Sequence, residues 1–168
     1  MVGYMRSVIG FPDPVDEVSA RLVAGGVVLM SVATIALDQP WLTVVIAYGF
    51  LARVLTGPTL SPLGRLVTQV VRPRLRVKPR PVPGPPKRFA QGIGAVLSTT
   101  AAVLALGAGA EGVAHGLLGV LAVAAGLEAF AGVCLGCIVF ARLMRLGLIP
   151  AEVCERCADL WGTRRASA

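Results

Sequence analysis

The chain has 168 residues, of which 55% are hydrophobic and only 15% charged. A soluble domain carries about 25% charged residues, so the composition excludes an ordinary water-soluble fold and assigns most of the chain to lipid. The net charge of +7 raises nucleic acid as a partner, but no aromatic residues interleave with the cations as stacking platforms, and that partner is set aside.

Residues 1–18 hold Asp13, Asp16 and Glu17 against the single cation Arg6. A cleaved signal would start basic, so this stretch is expected to persist as an arm on the cytoplasmic side. Four apolar runs follow, roughly 20–37, 40–56, 90–110 and 112–135, each near the roughly 20 residues that cross a hydrocarbon core. They predict an all-α integral membrane bundle of four transmembrane helices with little left for a second domain. The first hairpin, 19–56, turns at Asp38-Gln39-Pro40, with Arg21 and Arg53 at the inner ends and Trp41 at the outer interface. Residues 57–88 form a basic, Pro-rich cytoplasmic loop. Within it Leu63, Leu66, Val67 and Val70 suit one side of a short surface helix, and the prolines of 79–86 favour an extended spacer. The second hairpin, 89–141, contains Gly112-x-x-x-Gly116, a pattern that lets two helices approach closely and that would also permit a homodimer. A tail over 142–168 closes the chain with a short amphipathic helix after Pro150.

With the 57–88 loop inside, all 16 Lys and Arg fall on the cytoplasmic side, and the outer turns carry only Asp38, Glu111 and His115. That asymmetry is the positive-inside pattern. It predicts a bacterial inner (cytoplasmic) membrane protein with both termini cytoplasmic, attracted to anionic headgroups. Arg outnumbers Lys 14 to 2, the usage of a GC-rich bacterial genome.

The chemistry centres on four cysteines in two matched pairs, Cys134-x-x-Cys137 and Cys154-x-x-Cys157, with 16 residues between them. Structural disulfides are not expected in the cytoplasm, whereas catalytic or metal-binding thiols are. Three readings stand side by side. One pair attacks a partner's disulfide or carries a persulfide and the other pair resolves it, a thiol-disulfide or sulfur-relay component served by a soluble thioredoxin-like or sulfurtransferase protein. Arg142, Arg145 and Arg156 would favour the reactive thiolate, and Glu128, Glu152 and Glu155 would oppose it. Alternatively the four thiolates hold one structural zinc in a non-enzymatic scaffold, since the spacing fits a four-cysteine site. The third reading treats the cysteines as small apolar packing residues. A transporter would have only Glu128 and Gln91 as polar lining.

Glu128 lies at membrane depth, where an ionisable side chain marks a functional site by default. It is about 120° from Cys134 around a continuous helix, so contact between them requires a bend. Gly136 is the expected bend point, and Gln91 or Arg88 the expected partner of Glu128. The active-site candidates are thus Cys134, Cys137, Cys154, Cys157 and Glu128.

Taken together, Gly57-Pro58, Ser61-Pro62-Leu63-Gly64-Arg65-Leu66, Val71-Arg72-Pro73, Lys87-Arg88-Phe89-Ala90-Gln91 and Val133-Cys134-Leu135-Gly136-Cys137 resemble a bacterial membrane family known as domain of unknown function 4395. The resemblance covers most of residues 15–160. It implies a multi-pass inner-membrane protein with the first Cys-x-x-Cys at the end of the last helix, and it implies no activity.

Overall fold

A computed structural model describes residues 12–75, 77–150 and 153. The chain is mostly helical. Helix α1 spans Glu17–Ala36, α2 Leu42–Thr56, α3 Pro62–Arg65, α4 Arg72–Arg74, α5 Gly84–Leu106, α6 Glu111–Gly126 and α7 Leu135–Arg145. Two π-helical turns, Leu66–Val71 and Leu127–Ala131, join α3 to α4 and extend α6.

Among the described residues three helices are long and apolar enough to cross a membrane: Glu17–Ala36, Gly84–Leu106 and Glu111–Ala131. At about 1.5 Å per residue their 20, 23 and 21 residues match a hydrocarbon core of about 30 Å. Helix α2 is as apolar but has only 15 residues, about 22 Å at the same rise. It stops early because Gly57 turns the backbone to φ 63°, a conformation that costs glycine little.

The boundaries follow from local chemistry. Asp16 precedes α1 and accepts the Ser19 hydroxyl at 2.9 Å. Ser61 caps α3 by accepting the Gly64 amide at 3.2 Å, with Pro62 in the first turn. Helix α5 starts at Gly84, five residues before the Phe89 start expected from sequence. Pro85 and Pro86 occupy its first turn, where a missing amide hydrogen costs nothing and the fixed φ suits the helix. The prolines are therefore not one extended spacer. Pro81–Val82 instead forms a two-residue strand, β2, antiparallel to β1 at Val15–Asp16. This small ladder, absent from the all-α expectation, ties the N-terminal arm to the start of α5. Asp16 reinforces it by accepting from Arg72 Nε at 2.6 Å and from the Arg80 amide at 3.0 Å.

In the bundle α1 packs on α6, α6 on α5, and α5 on α2. The core is built largely of alanine (Ala24, Ala95, Ala101, Ala105, Ala114, Ala125) around Val27, Ile46, Phe50, Leu118 and Leu121. Phe50 presses on Gly94, where a Cβ would collide with its ring. The buried hydroxyls of Thr34 and Ser98 return their protons to their own helices, Thr34 to Met30 O at 2.7 Å and Ser98 to Gly94 O at 2.7 Å. Outward faces are apolar, with Leu29, Val96, Val103, Val123 and Phe130 well exposed, as on helices solvated by lipid.

Two packing expectations change. Gly112 and Gly116 have nothing within 4 Å, and neither has Gly119. Helix α6 presents Ala114, Leu118, Leu121 and Ala125 to its neighbours, a stripe about 170° from Gly112 and Gly116 at about 100° per residue. The small-residue pattern thus lies on an open face and does not join the two helices. In the 62–74 segment Leu63 packs over Gly26 and Val67 is buried, while Leu66 and Val70 are exposed. The widened π turn, from Leu66 to Val71, shifts the phase on which the single apolar side relied.

Candidate functional site

The apolar run expected to continue as one helix through Cys137 is cut in two. The break falls at Gly132, which adopts φ 70°, and not at Gly136. Its amide donates to Glu128 O at 3.1 Å, and the Val133 amide donates to Leu127 O at 3.1 Å. That is a Schellman-type closure widened by one residue, as the preceding π turn demands. From α1, Arg21 closes the same end by donating Nε to Ala129 O at 3.1 Å and Nη2 to Phe130 O at 2.9 Å. A cation on the last carbonyls of a helix also meets the negative end of its dipole. Arg21 is therefore more than a residue reaching for the interface.

After this break the chain restarts as α7, and Cys134 occupies its N-cap with extended dihedrals, φ −94° and ψ 106°. Cys137 falls in the first turn. Helix α7 is strongly amphipathic and lies against α5. Gly136 is a point of close approach: a Cβ there would stand 2.5 Å from Ala90 Cβ and 2.6 Å from Ala90 Cα. One turn on, the Phe140 and Phe89 rings pack with centroids 5.6 Å apart. The glycine inside the cysteine motif serves contact, not bending.

Cys134 is buried and Cys137 half-buried, both as free thiols. The Cys137 thiol donates to Cys134 sulfur, which holds the Cys134 thiol below its ordinary range; burial opposes this, and the nearby Lys87 ammonium assists. Cys137 is pushed up because its proton is committed to that bond, and burial adds to the effect. A helix N-terminus and a neighbouring cation are the recognised settings of a reactive thiolate. The cation is Lys87 of the first turn of α5. Arg142 and Arg145, expected from sequence to play this part, lie in the last turn of α7, at the far end of the helix from the thiols.

Lys87 Nζ also meets Glu128 Oε1 at 2.5 Å, with both side chains mostly buried. The expected partners of Glu128 are engaged elsewhere. Arg88 donates Nε to Val54 O at 3.1 Å, and Gln91 Oε1 accepts Arg53 Nε at 2.8 Å. Arg53, only 5% exposed, also donates Nη1 to Ser61 Oγ at 3.2 Å and stacks 4.4 Å from the centroid of Phe50. The bend at Gly132 and the intervening Lys87 thus bring Glu128 into the electrostatic field of both thiols.

Two central residues, Lys87 and Arg53, were not among the sequence candidates. The signal for Lys87 was present: Pro85-Pro86 places it in a helical first turn, and it is one of only two lysines. Arg53 read as an ordinary helix-end cation. Near the same end a cleft of about 450 Å³ opens between Pro12, Asp13, Arg88, Phe89, Phe140 and Val153. Across the bundle His115 Nε2 approaches Asp38 Oδ1 at 3.6 Å, which links the start of α6 to the α1–α2 turn.

Cys154 and Cys157, with the short helix expected around them, lie outside the described residues. Among the described residues no three His, Cys, Asp or Glu side chains converge as a metal-holding group. Any four-thiolate site would draw half its ligands from that tail.

A family model described as Domain of unknown function (DUF4395) matches residues 15–145. No curated protein and no solved structure matches the chain.

Proposed function

We propose, from the premise that the chain belongs to the DUF4395 family, that it is a membrane-embedded thiol–disulfide exchange component whose working dithiol is Cys134–Cys137. One observation carries the reading: Cys134 occupies the N-cap position of a helix with Cys137 in its first turn, beside a buried lysine. A regular helix would hold two such cysteines with Cβ atoms about 5–6 Å apart, too far for a disulfide at about 3.5–4.5 Å. An extended N-cap frees Cys134 from that register, so the pair can alternate between dithiol and disulfide.

In the exchange, the Cys134 thiolate attacks one sulfur of a partner disulfide. The Cys134–partner bond forms as the partner's S–S bond breaks, and one partner sulfur is released as a thiolate while the other stays bonded to Cys134. Cys137 then attacks Cys134 sulfur, closes the internal disulfide and releases the partner's second thiolate. Two electrons pass to the partner. The same thiolate would take a sulfane sulfur from a sulfurtransferase, the sulfur-relay form of this reading, and Cys154 and Cys157 would serve as the second pair.

The topology belongs to the same proposal. Helix α2 is the fourth span, shortened to about 22 Å and matched to the bilayer by local thinning and by Trp41 at its outer end. Both termini and the dithiol face the cytoplasm of a bacterial inner membrane, a placement supported by the Lys and Arg asymmetry. The cations of the 57–88 loop rest on anionic headgroups.

Anaerobic purification of a Cys137→Ser variant from cells tests the reading. A mixed disulfide to a soluble protein through Cys134 is expected, and its absence refutes exchange. Native mass spectrometry of the wild type decides between the relay and the zinc scaffold. A protein two or four hydrogens light, or carrying extra sulfur, supports the relay. A bound zinc released together with four alkylatable cysteines replaces the relay with the scaffold.

A further inference from the structure

The Glu128 carboxylate has no part in the exchange as written above, yet the charged pair it forms with Lys87, sealed inside a bundle, is expensive to maintain. The groups around the turn that carries Glu128 are Lys87 from α5, Arg53 from α2, Arg21 and Glu17 from α1, and the two thiols at the start of α7. Counting Arg53, Lys87, Glu128 and a Cys134 thiolate, the cluster is neutral. Once Cys134 is bonded to a partner it carries one excess positive charge, and the Cys137 proton has lost its acceptor. Resolution cannot proceed until that proton leaves. Of the carboxylates in the cluster, Glu17 lies with Arg21 beside Gly132, which leaves Glu128, whose Oε1 is fixed by the same Lys87 that neighbours the thiols.

Resting on the dithiol reading, we infer that Glu128 is the proton acceptor for Cys137 in the resolving step, and that Lys87 is the positioning residue that holds the carboxylate. The balance is complete. The Cys137 S–H bond breaks and its proton goes to Glu128 Oε2. The Cys137 sulfur forms a bond to Cys134 sulfur, the Cys134–partner S–S bond breaks, and its electron pair leaves on the partner thiolate. Glu128 then loses the proton to the departing thiolate or to water, which the positive charge left in the cluster favours. In the reverse direction the protonated carboxyl returns the proton to Cys137.

The test uses full-length protein in detergent with Cys154 and Cys157 replaced by Ser, and dithiobis(nitrobenzoate) as the disulfide probe. The first coloured thiolate reports attack by Cys134, and the second reports resolution by Cys137. Glu128→Gln is expected to leave the first phase within a few-fold of the parent and slow the second by about 100-fold or more, the usual worth of a positioned base. The slow phase should regain about tenfold per pH unit as solvent replaces the carboxylate, and Glu128→Asp should recover part of the rate. Should Gln leave Lys87 stranded and unfold the protein, Lys87→Met with Glu128→Leu removes both charges and must show the same slow second phase. Equal second-phase rates in the parent and either variant overturn the proton role alone. A parent that never releases the first thiolate overturns the dithiol reading and this inference with it.

Discussion

Replacing Gly136 with Ala tests whether packing sets the chemistry. The added Cβ would lie 2.5 Å from Ala90 Cβ and 2.6 Å from Ala90 Cα, whereas carbon atoms rest about 3.5–4.0 Å apart. Part of the obstruction is backbone, so no side-chain rotation relieves it. Helix α7 must retreat from α5 by about 1 Å. Overpacking of this kind costs about 1–3 kcal/mol, and a chain of this size loses about 2–4 °C of Tm per kcal/mol, so a fall of about 2–12 °C is expected. The retreat also takes Cys134 away from Lys87, so the thiol should lose part of its downward shift. Thermal unfolding in detergent and the pH dependence of Cys134 alkylation read the two effects together. Gly116→Ala is the control: nothing lies within 4 Å of that position, and exchanging a mid-helix glycine for alanine should add about 0.5–1 kcal/mol. A Gly136→Ala protein with an unchanged Tm and alkylation profile would refute the claim that this contact seats the dithiol.

Gly132→Ala must force a side chain into φ 70° at a cost of about 1–2 kcal/mol, while Gly132→Asn should cost less; comparative thermal melts check the order. Arg53→Lys keeps the charge but loses the planar fork that reaches Gln91 and Ser61 from separate nitrogens, and the weakened buried hydrogen bonds should cost about 1–3 kcal/mol, again read as lost thermal stability. Asp16 gives a pH prediction. Burial alone would raise its carboxyl, but hydrogen bonds from Arg72, the Arg80 amide and Ser19 outweigh this and hold it below 3.8. A depressed carboxylate contributes stability that is present above its unfolded pKa and lost as pH falls through the folded value. Hydrogen exchange at the Arg80 amide should therefore show the arm-to-loop clamp intact at neutral pH and opening only below about pH 4. Asp16→Asn should show partial opening at every pH.

What sequence could reveal here depended on how local each determinant was. The apolar runs of α1, α5 and α6 and the Cys-x-x-Cys motif were legible because length and composition alone mark a membrane helix and paired thiols. The stop at Gly57 was visible for the same reason: a glycine next to a proline ends a helix wherever it occurs. The break at Gly132 was not, because the choice between Gly132 and Gly136 depends on what each glycine meets in space. Arg21 waits beside the first, and the Ala90 backbone presses on the second. Glu128 was singled out from its depth, but its partner was misassigned to Arg88 or Gln91 because the true start of α5 was hidden by prolines read as a spacer. Moving that start to Gly84 puts Lys87 in the first turn and turns Arg88 toward α2. The Gly112 and Gly116 spacing misled for a related reason: a spacing gives a face, and the neighbours decide whether that face is used.

The two hydrogen bonds from Arg21 to the carbonyls of Ala129 and Phe130 bear on how the molecule could be rebuilt. A first helix that served only to hold the protein in the bilayer would be exchangeable for any hydrophobic segment of equal length. This one is not, since a generic substitute would insert but leave the backbone just ahead of Cys134 without its closing cation. Grafting a foreign anchor onto the remainder should yield a protein that reaches the membrane and still mispositions its sulfur atoms, unless the graft restores an arginine at the position of Arg21.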